Sequence, residues 1–224
     1  MSSGDAKGVD DGETPHRRIV VWDAATRLFH WLVALLVLAA YVTYRLNWIF
    51  MHVLAGEAVL ALVLFRILWG FLGSETTRFA SFMAPPGVAL AYLAGIFRRQ
   101  SPPRVGHNPA GGWMIVLLLA LLVGETLTGI LDNNDVASVG PLSAALSEPG
   151  MNVVTTLHRV LWDALVVAIA IHLVAVLFYA VVLRQDLLLP MITGRVARHL
   201  ASRTLSTSGA LPVNFPDTIN ASAP

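Results

Sequence analysis

Seven histidines stand in this 224-residue sequence, and four of them fall inside long apolar runs. An ionisable side chain in such a run is costly, and where one persists it usually faces the interior of a helix bundle. His30 opens the first run, His52 opens the second, and His158 and His172 lie on the fourth. His158 and His172 are 14 residues apart. On a helix that offset is about 21 Å of rise and falls about 40° short of four full turns, so both side chains share a face. Successive runs cross in alternate directions, so His52 matches the depth of His158, and His30 matches the depth of His172. One such histidine would be a hydrogen-bonded core residue. Four in two level pairs suit a flat metal-bearing group clamped through its two axial positions, as haem iron is by imidazole in bundle cores. Zinc would want three or four ligands close together, and each pair lacks the others. The chain has no cysteine, which excludes thiolate metal sites, Cys-ligated iron–sulfur clusters and the Cys-x-x-Cys-His motif of covalent haem attachment. Two non-covalent b haems account for all four positions. Of the remaining histidines, His16 and His199 lie in polar flanks, and His107 sits in the turn Gly106-His107-Asn108-Pro109.

Haem propionates are anionic and need cationic partners when buried. Arg159 follows His158, and Arg45 is the basic residue of the first connection. Arg66 comes 14 residues after His52, the same offset as between His158 and His172, and Arg27 just precedes His30. Arg27 and Arg45 read more simply as interfacial residues that snorkel. Gly56, one turn after His52, would let a macrocycle approach the backbone. Gly124 and Gly129 would do the same on the third run or serve helix packing. Glu57, Glu125 and Asp163 are acidic groups in or near the runs, equally suited to carrying protons for a quinone and to structural hydrogen bonding.

The elements that must position these residues follow from composition. Hydrophobic residues make up 56% of the chain and charged residues 13%, against about 25% charged in an ordinary soluble domain. The mean hydropathy is +0.67 and the formal net charge +1. These values exclude a disordered chain, a disulfide-stapled module and a basic nucleic-acid surface. Four runs of roughly 20 apolar residues could each cross a bilayer: about 28–44, 51–72, 113–131 and 153–183. The expected fold is therefore an all-α integral membrane four-helix bundle. A shorter apolar stretch, 88–97, follows Pro85-Pro86 and reads as an interfacial helix. Lys7, Arg17, Arg18 and Arg27 precede the first run; Arg78, Arg98, Arg99 and Arg104 occupy the second connection; Arg184, Arg195, Arg198 and Arg203 follow the fourth. The third connection, 132–152, has no Lys or Arg and carries Asp132, Asp135 and Glu148. The positive-inside rule then puts both termini, and the interfacial helix, on the cytoplasmic side. Residues 1–18 read as an N-terminal tail without the apolar core of a signal peptide, 19–195 as the membrane domain, and 196–224 as a flexible C-terminal tail.

The run from Val21-Trp22-Asp23 through Arg27-Leu28-Phe29-His30-Trp31 resembles the opening of the bacterial cytochrome b561 and nickel–iron hydrogenase b-type cytochrome superfamily. Met51-His52 with Gly56 resembles its second helix, and Gly106 to Gly112 with Thr128-Gly129 its third-helix region. Leu157-His158-Arg159 with Ile171-His172 resembles its fourth helix, and Met191-Ile192-Thr193-Gly194 its close. The similarity covers about residues 19 to 195. It implies a four-helix cytochrome of the bacterial inner membrane with two bis-histidine b haems, ligated by His30, His52, His158 and His172. It also implies electron transfer between the quinone pool and a redox partner such as a periplasmic c-type cytochrome or an oxidoreductase subunit. The chain would act as an electron-transfer component, alone, as a homo-oligomer or within a complex. With both axial positions filled, neither iron would be open to oxygen chemistry. Three other readings compete: a superoxide:quinone oxidoreductase, weakened by having only Arg45 and Arg159 as outer cations; a proton or ion transporter, weakened by the lack of an internal repeat; and a plain membrane anchor.

Overall fold

The computed structural model describes residues 19–20, 22–74, 77–97, 109–134, 138–139, 142, 146–184 and 187–196. The readings on His16, His107 and His199, on Lys7, Arg17, Arg18, Arg98, Arg99, Arg104, Arg198 and Arg203, on Asp135, and on the tails before Ile19 and after Val196 lie outside the described residues. In chain order the elements are β1 (Ile19–Val20), α1 (Ala24–Arg45), α2 (Ile49–Leu72), α3 (Phe79–Phe82), α4 (Pro86–Phe97), α5 (Pro109–Leu131), β2 (Asn133–Asn134), β3 (Ser138–Val139), α6 (Glu148–Val181), α7 (Leu188–Thr193) and β4 (Arg195–Val196).

The protein is all-α, and α1, α2, α5 and α6 are long and apolar enough to cross a membrane. The four expected runs correspond to these helices, each of which starts earlier than its apolar run. α1 starts at Ala24 because Asp23 caps it, its carboxylate accepting from the Thr26 backbone N–H at 2.8 Å. α5 starts at Pro109 and runs through Gly111-Gly112; a Cβ at Gly112 would stand 3.1 Å from the Phe82 carbonyl, so the glycine lets α3 lie close against α5. α6 starts at Glu148, with Pro149 in its first turn, where a missing N–H costs nothing. At 34 residues α6 is about 51 Å long, well beyond a hydrocarbon core of about 30 Å.

α1 packs on α2, α2 on α5, and α5 on α6. The seam between α6 and α1 is closed by side chains: Tyr41 stacks on Trp162, with ring centroids 5.5 Å apart and planes 9° from parallel. A small apolar core of Val33, Val59, Val63, Leu119, Leu122 and Leu165 occupies the centre of the bundle. Large apolar side chains such as Leu35, Leu68 and Val174 point outward, the reverse of a soluble protein and natural where the solvent is lipid.

The short apolar stretch after Pro85-Pro86 forms α4, whose 12 residues are too few to span. It lies against α5, and its Tyr92 hydroxyl meets the Tyr179 hydroxyl of α6 at 3.1 Å. Trp113 of α5 donates to the Ala84 carbonyl at 3.0 Å and holds the entry to α4. Beyond α6, the six-residue α7 ends at Gly194, whose φ of +76° is the left-handed cap that glycine adopts without strain. β4 then pairs antiparallel with β1, Ile19 opposite Val196 and Val20 opposite Arg195. Sequence reading did not foresee α3, α7 or these two-residue ladders, which are too short to carry a periodic signal.

Candidate functional site

The helices bring the four intramembrane histidines together in two pairs. The His52 and His158 rings have centroids 6.4 Å apart. The His30 and His172 rings have centroids 6.5 Å apart. An imidazole nitrogen about 2 Å from a metal ion puts its ring centre roughly 3 Å from that ion, so two trans imidazoles have centres roughly 6 Å apart. Both separations fit that arrangement. The pairs are separated along α6 by the 14-residue offset of His158 and His172.

At the His52 end each ring is tethered through Nδ1. His52 Nδ1–H donates to the Ala40 carbonyl of α1 at 2.9 Å. His158 Nδ1–H donates to the Glu125 carbonyl of α5 at 3.0 Å, beside the Thr128 hydroxyl at 3.1 Å. A carbonyl only accepts, so Nδ1 carries the proton and Nε2 keeps the lone pair that a metal needs. These rings border a small cavity lined also by Gly56, Glu57, Glu125 and Trp162. Gly56 has no atom within 4 Å of where a Cβ would stand, so its backbone faces open space. A Cβ at Gly129 would stand 3.1 Å from the His158 ring, so this glycine makes room for the imidazole. Gly124 instead accommodates Leu161 of α6, a packing role. Glu125 reaches His158 Nε2 at 3.5 Å with one oxygen, and its other oxygen is buried without a partner among the described residues.

The His30 end is built differently. His30 meets the Trp31 ring edge to face, with centroids 5.2 Å apart, and its Nδ1 is buried without a hydrogen bond among the described residues. Trp31 donates to the Met191 carbonyl of α7 at 3.4 Å, and Arg27 donates to the neighbouring Ile192 carbonyl. Gly194 sits against this clamp: a Cβ there would stand 2.9 Å from the Trp22 carbonyl and 3.1 Å from the Arg27 guanidinium.

The four arginines considered from sequence part company. Arg66 is 3% exposed, lies 5.2 Å from the Phe79 ring centroid and donates to the Thr77 carbonyl at 3.4 Å. Arg27 is committed to α7, while Arg45 and Arg159 are exposed. Glu57 and Asp163 are exposed, and Glu125 is half-buried. Sequence reading missed Asp23 as a junction. One of its oxygens caps α1, and the other accepts from Trp69 at 2.9 Å and Ser74 at 3.1 Å, tying the start of α1 to the end of α2. Burial works to raise this carboxyl, but its contacts with Thr26, Trp69 and Ser74 outweigh that and hold it below its ordinary value. The visible signal was an Asp three residues before Thr26 at the head of an apolar run.

No curated protein matches the chain at a significant level. A family model described as prokaryotic cytochrome b561 matches residues 21–194, a stretch that takes in both histidine pairs, the clamp at Gly194 and all four long helices. The chain belongs to the prokaryotic cytochrome b561 family: it is a multi-pass membrane protein, a b-type cytochrome of electron transfer.

Proposed function

We propose that the chain holds two b haems, one between His52 and His158 and one between His30 and His172, and relays electrons between the quinone pool and a redox partner across the inner membrane. The observation that carries this reading is the pair of matched ring separations, 6.4 Å and 6.5 Å, at two depths of one bundle. Bound haem would supply a one-electron carrier at each depth. The chain supplies orientation and seclusion. The Ala40 and Glu125 carbonyls fix the tautomer of His52 and His158 and leave each Nε2 free of a proton. Gly56 and Gly129 leave the space that side chains would fill. Trp162, with Tyr41 stacked on it, walls the cavity where α1 and α6 meet. A haem held on both sides by histidine would serve as an electron relay rather than in oxygen chemistry.

The partner is proposed to be a c-type cytochrome or an oxidoreductase subunit outside the membrane. Asp132 and Glu148 flank the third connection, which has no Lys or Arg, so its charge suits a basic partner. The purified protein is expected to be red, with about two haems per chain and reducible b-type absorption. His52→Ala and His158→Ala should lose one and the same haem, and His30→Ala and His172→Ala the other. A colourless folded protein, or loss of one common haem in His158→Ala and His172→Ala, overturns the reading.

A further inference from the structure

Five buried side-chain atoms lack a hydrogen-bond partner among the described residues, and four of them gather at the His30 end: Thr26 Oγ1, Arg27 Nε, His30 Nδ1 and Arg66 Nη1. Arg66 is the most demanding. It is 3% exposed and lies against the Phe79 ring, and among the described residues its one hydrogen bond is the 3.4 Å contact from Nη2 to Thr77, while Nη1 has none. A buried cation with so little compensation is costly unless an anion meets it. Asp23, the carboxylate whose field reaches Arg66, does not supply the bond. Its oxygens are taken by the Thr26 N–H and by Trp69 and Ser74.

Two hydrogen bonds fix the antiparallel register of α1 on α2: Asp23 with Trp69 at one end, and Ala40 with His52 at the other. Both give the same offset, which sets Thr26 opposite Arg66. Thr26 is 6% exposed, and its hydroxyl lies beside the Asp23 carboxylate without hydrogen-bonding geometry. It stands four residues before His30 on the same helix face, about 6 Å along the axis.

We infer that Arg66, with Thr26 opposite it, is a buried receptor for a carboxylate, and that this carboxylate is a propionate of the haem held by His30 and His172. The inference rests on the two-haem reading above and adds a role for one named cation at one of the two haems. A guanidinium suits the task because its planar fork pairs with a carboxylate through charge-assisted bonds. A fixed cation beside one haem also favours its reduced form, so Arg66 raises the potential of that haem and leaves the distant one untouched. The phosphate of a lipid headgroup offers similar chemistry, so the test separates the two sources.

Redox titration of the purified holoprotein, followed optically, provides that test in lipid-free detergent and in vesicles with and without anionic phospholipid. Arg66→Gln should lower the potential of the haem that His30→Ala removes and leave the other unmoved. Arg66→Lys should restore part of the shift, and Thr26→Val should give a smaller shift of the same sign. If Arg66→Gln does not accumulate, Arg66→Lys and Thr26→Val carry the comparison. Two haems whose potentials do not move, or move together, overturn the inference alone. A shift seen only with anionic phospholipid assigns the site to lipid phosphate and overturns the propionate. A wild type that lacks the haem removed by His30→Ala instead overturns the two-haem reading beneath it.

Discussion

The two ends of the bundle hold the same pair of side chains in opposite ways. At the His52 end the backbone does the holding: carbonyls of Ala40 and Glu125 fix both rings, and the nearest charged side chain is the acidic Glu125. At the His30 end the ring meets Trp31, its Nδ1 is unbonded among the described residues, and the charges on the adjoining turns of α1 and α2 are Arg27 and Arg66 together with the acidic Asp23. At the first end both rings are tied by backbone and the orphaned atom is an acceptor, one oxygen of Glu125, whereas the other end keeps donors in reserve. Identical histidine pairs are thus given different surroundings by their neighbours, and for redox centres such differences are the usual route to unequal potentials.

That contrast can be broken selectively. Gly129→Leu should have the largest effect, because the added atoms enter the space of the His158 ring. Overpacking of this kind costs about 1–3 kcal/mol, and the readout is loss of the haem that His52→Ala removes while the other persists in the spectrum. Gly194→Ala should act at the opposite end. It forces a side chain into a left-handed conformation, at about 1–2 kcal/mol, and presses on Arg27. Its expected signature is a lower melting temperature and a disturbed low-temperature band for the His30-side haem only. The smallest effect is that of acid on the Asp23 junction. Its carboxyl is held below the ordinary value in the folded protein, so its contribution is complete above the ordinary carboxylate range and is lost as pH falls through the lowered value. Asp23→Asn should flatten this acid-side loss in thermal melts, at a constant cost no larger than that of a helix cap, about 0.5–2 kcal/mol.

The long helices and the level pairing of the histidines were legible in the sequence because both depend on helix geometry alone. Fourteen residues carry a side chain back to nearly the same face whatever surrounds the helix. The tethers were not legible, since the Ala40 and Glu125 carbonyls become partners only once three helices have settled in register. Arg66 shows the boundary between these cases. Its depth could be counted from His52, but its burial under Phe79 depends on α3, a single turn with no periodic pattern to announce it. Arg159 had similar sequence credentials and is exposed, as is Arg45, which already read more simply as an interfacial residue.

The clamp between α1 and α7 also dictates an order of assembly. The ribosome delivers the chain from its N-terminus, so His158 and the Glu125 carbonyl are in hand before His172 is made. The Met191 and Ile192 carbonyls that secure Trp31 and Arg27 come later still, as does the β4 strand that closes on β1. One end of the bundle can mature while translation continues, and the other waits for nearly the last described residue, so a truncated chain would forfeit one site and keep its neighbour.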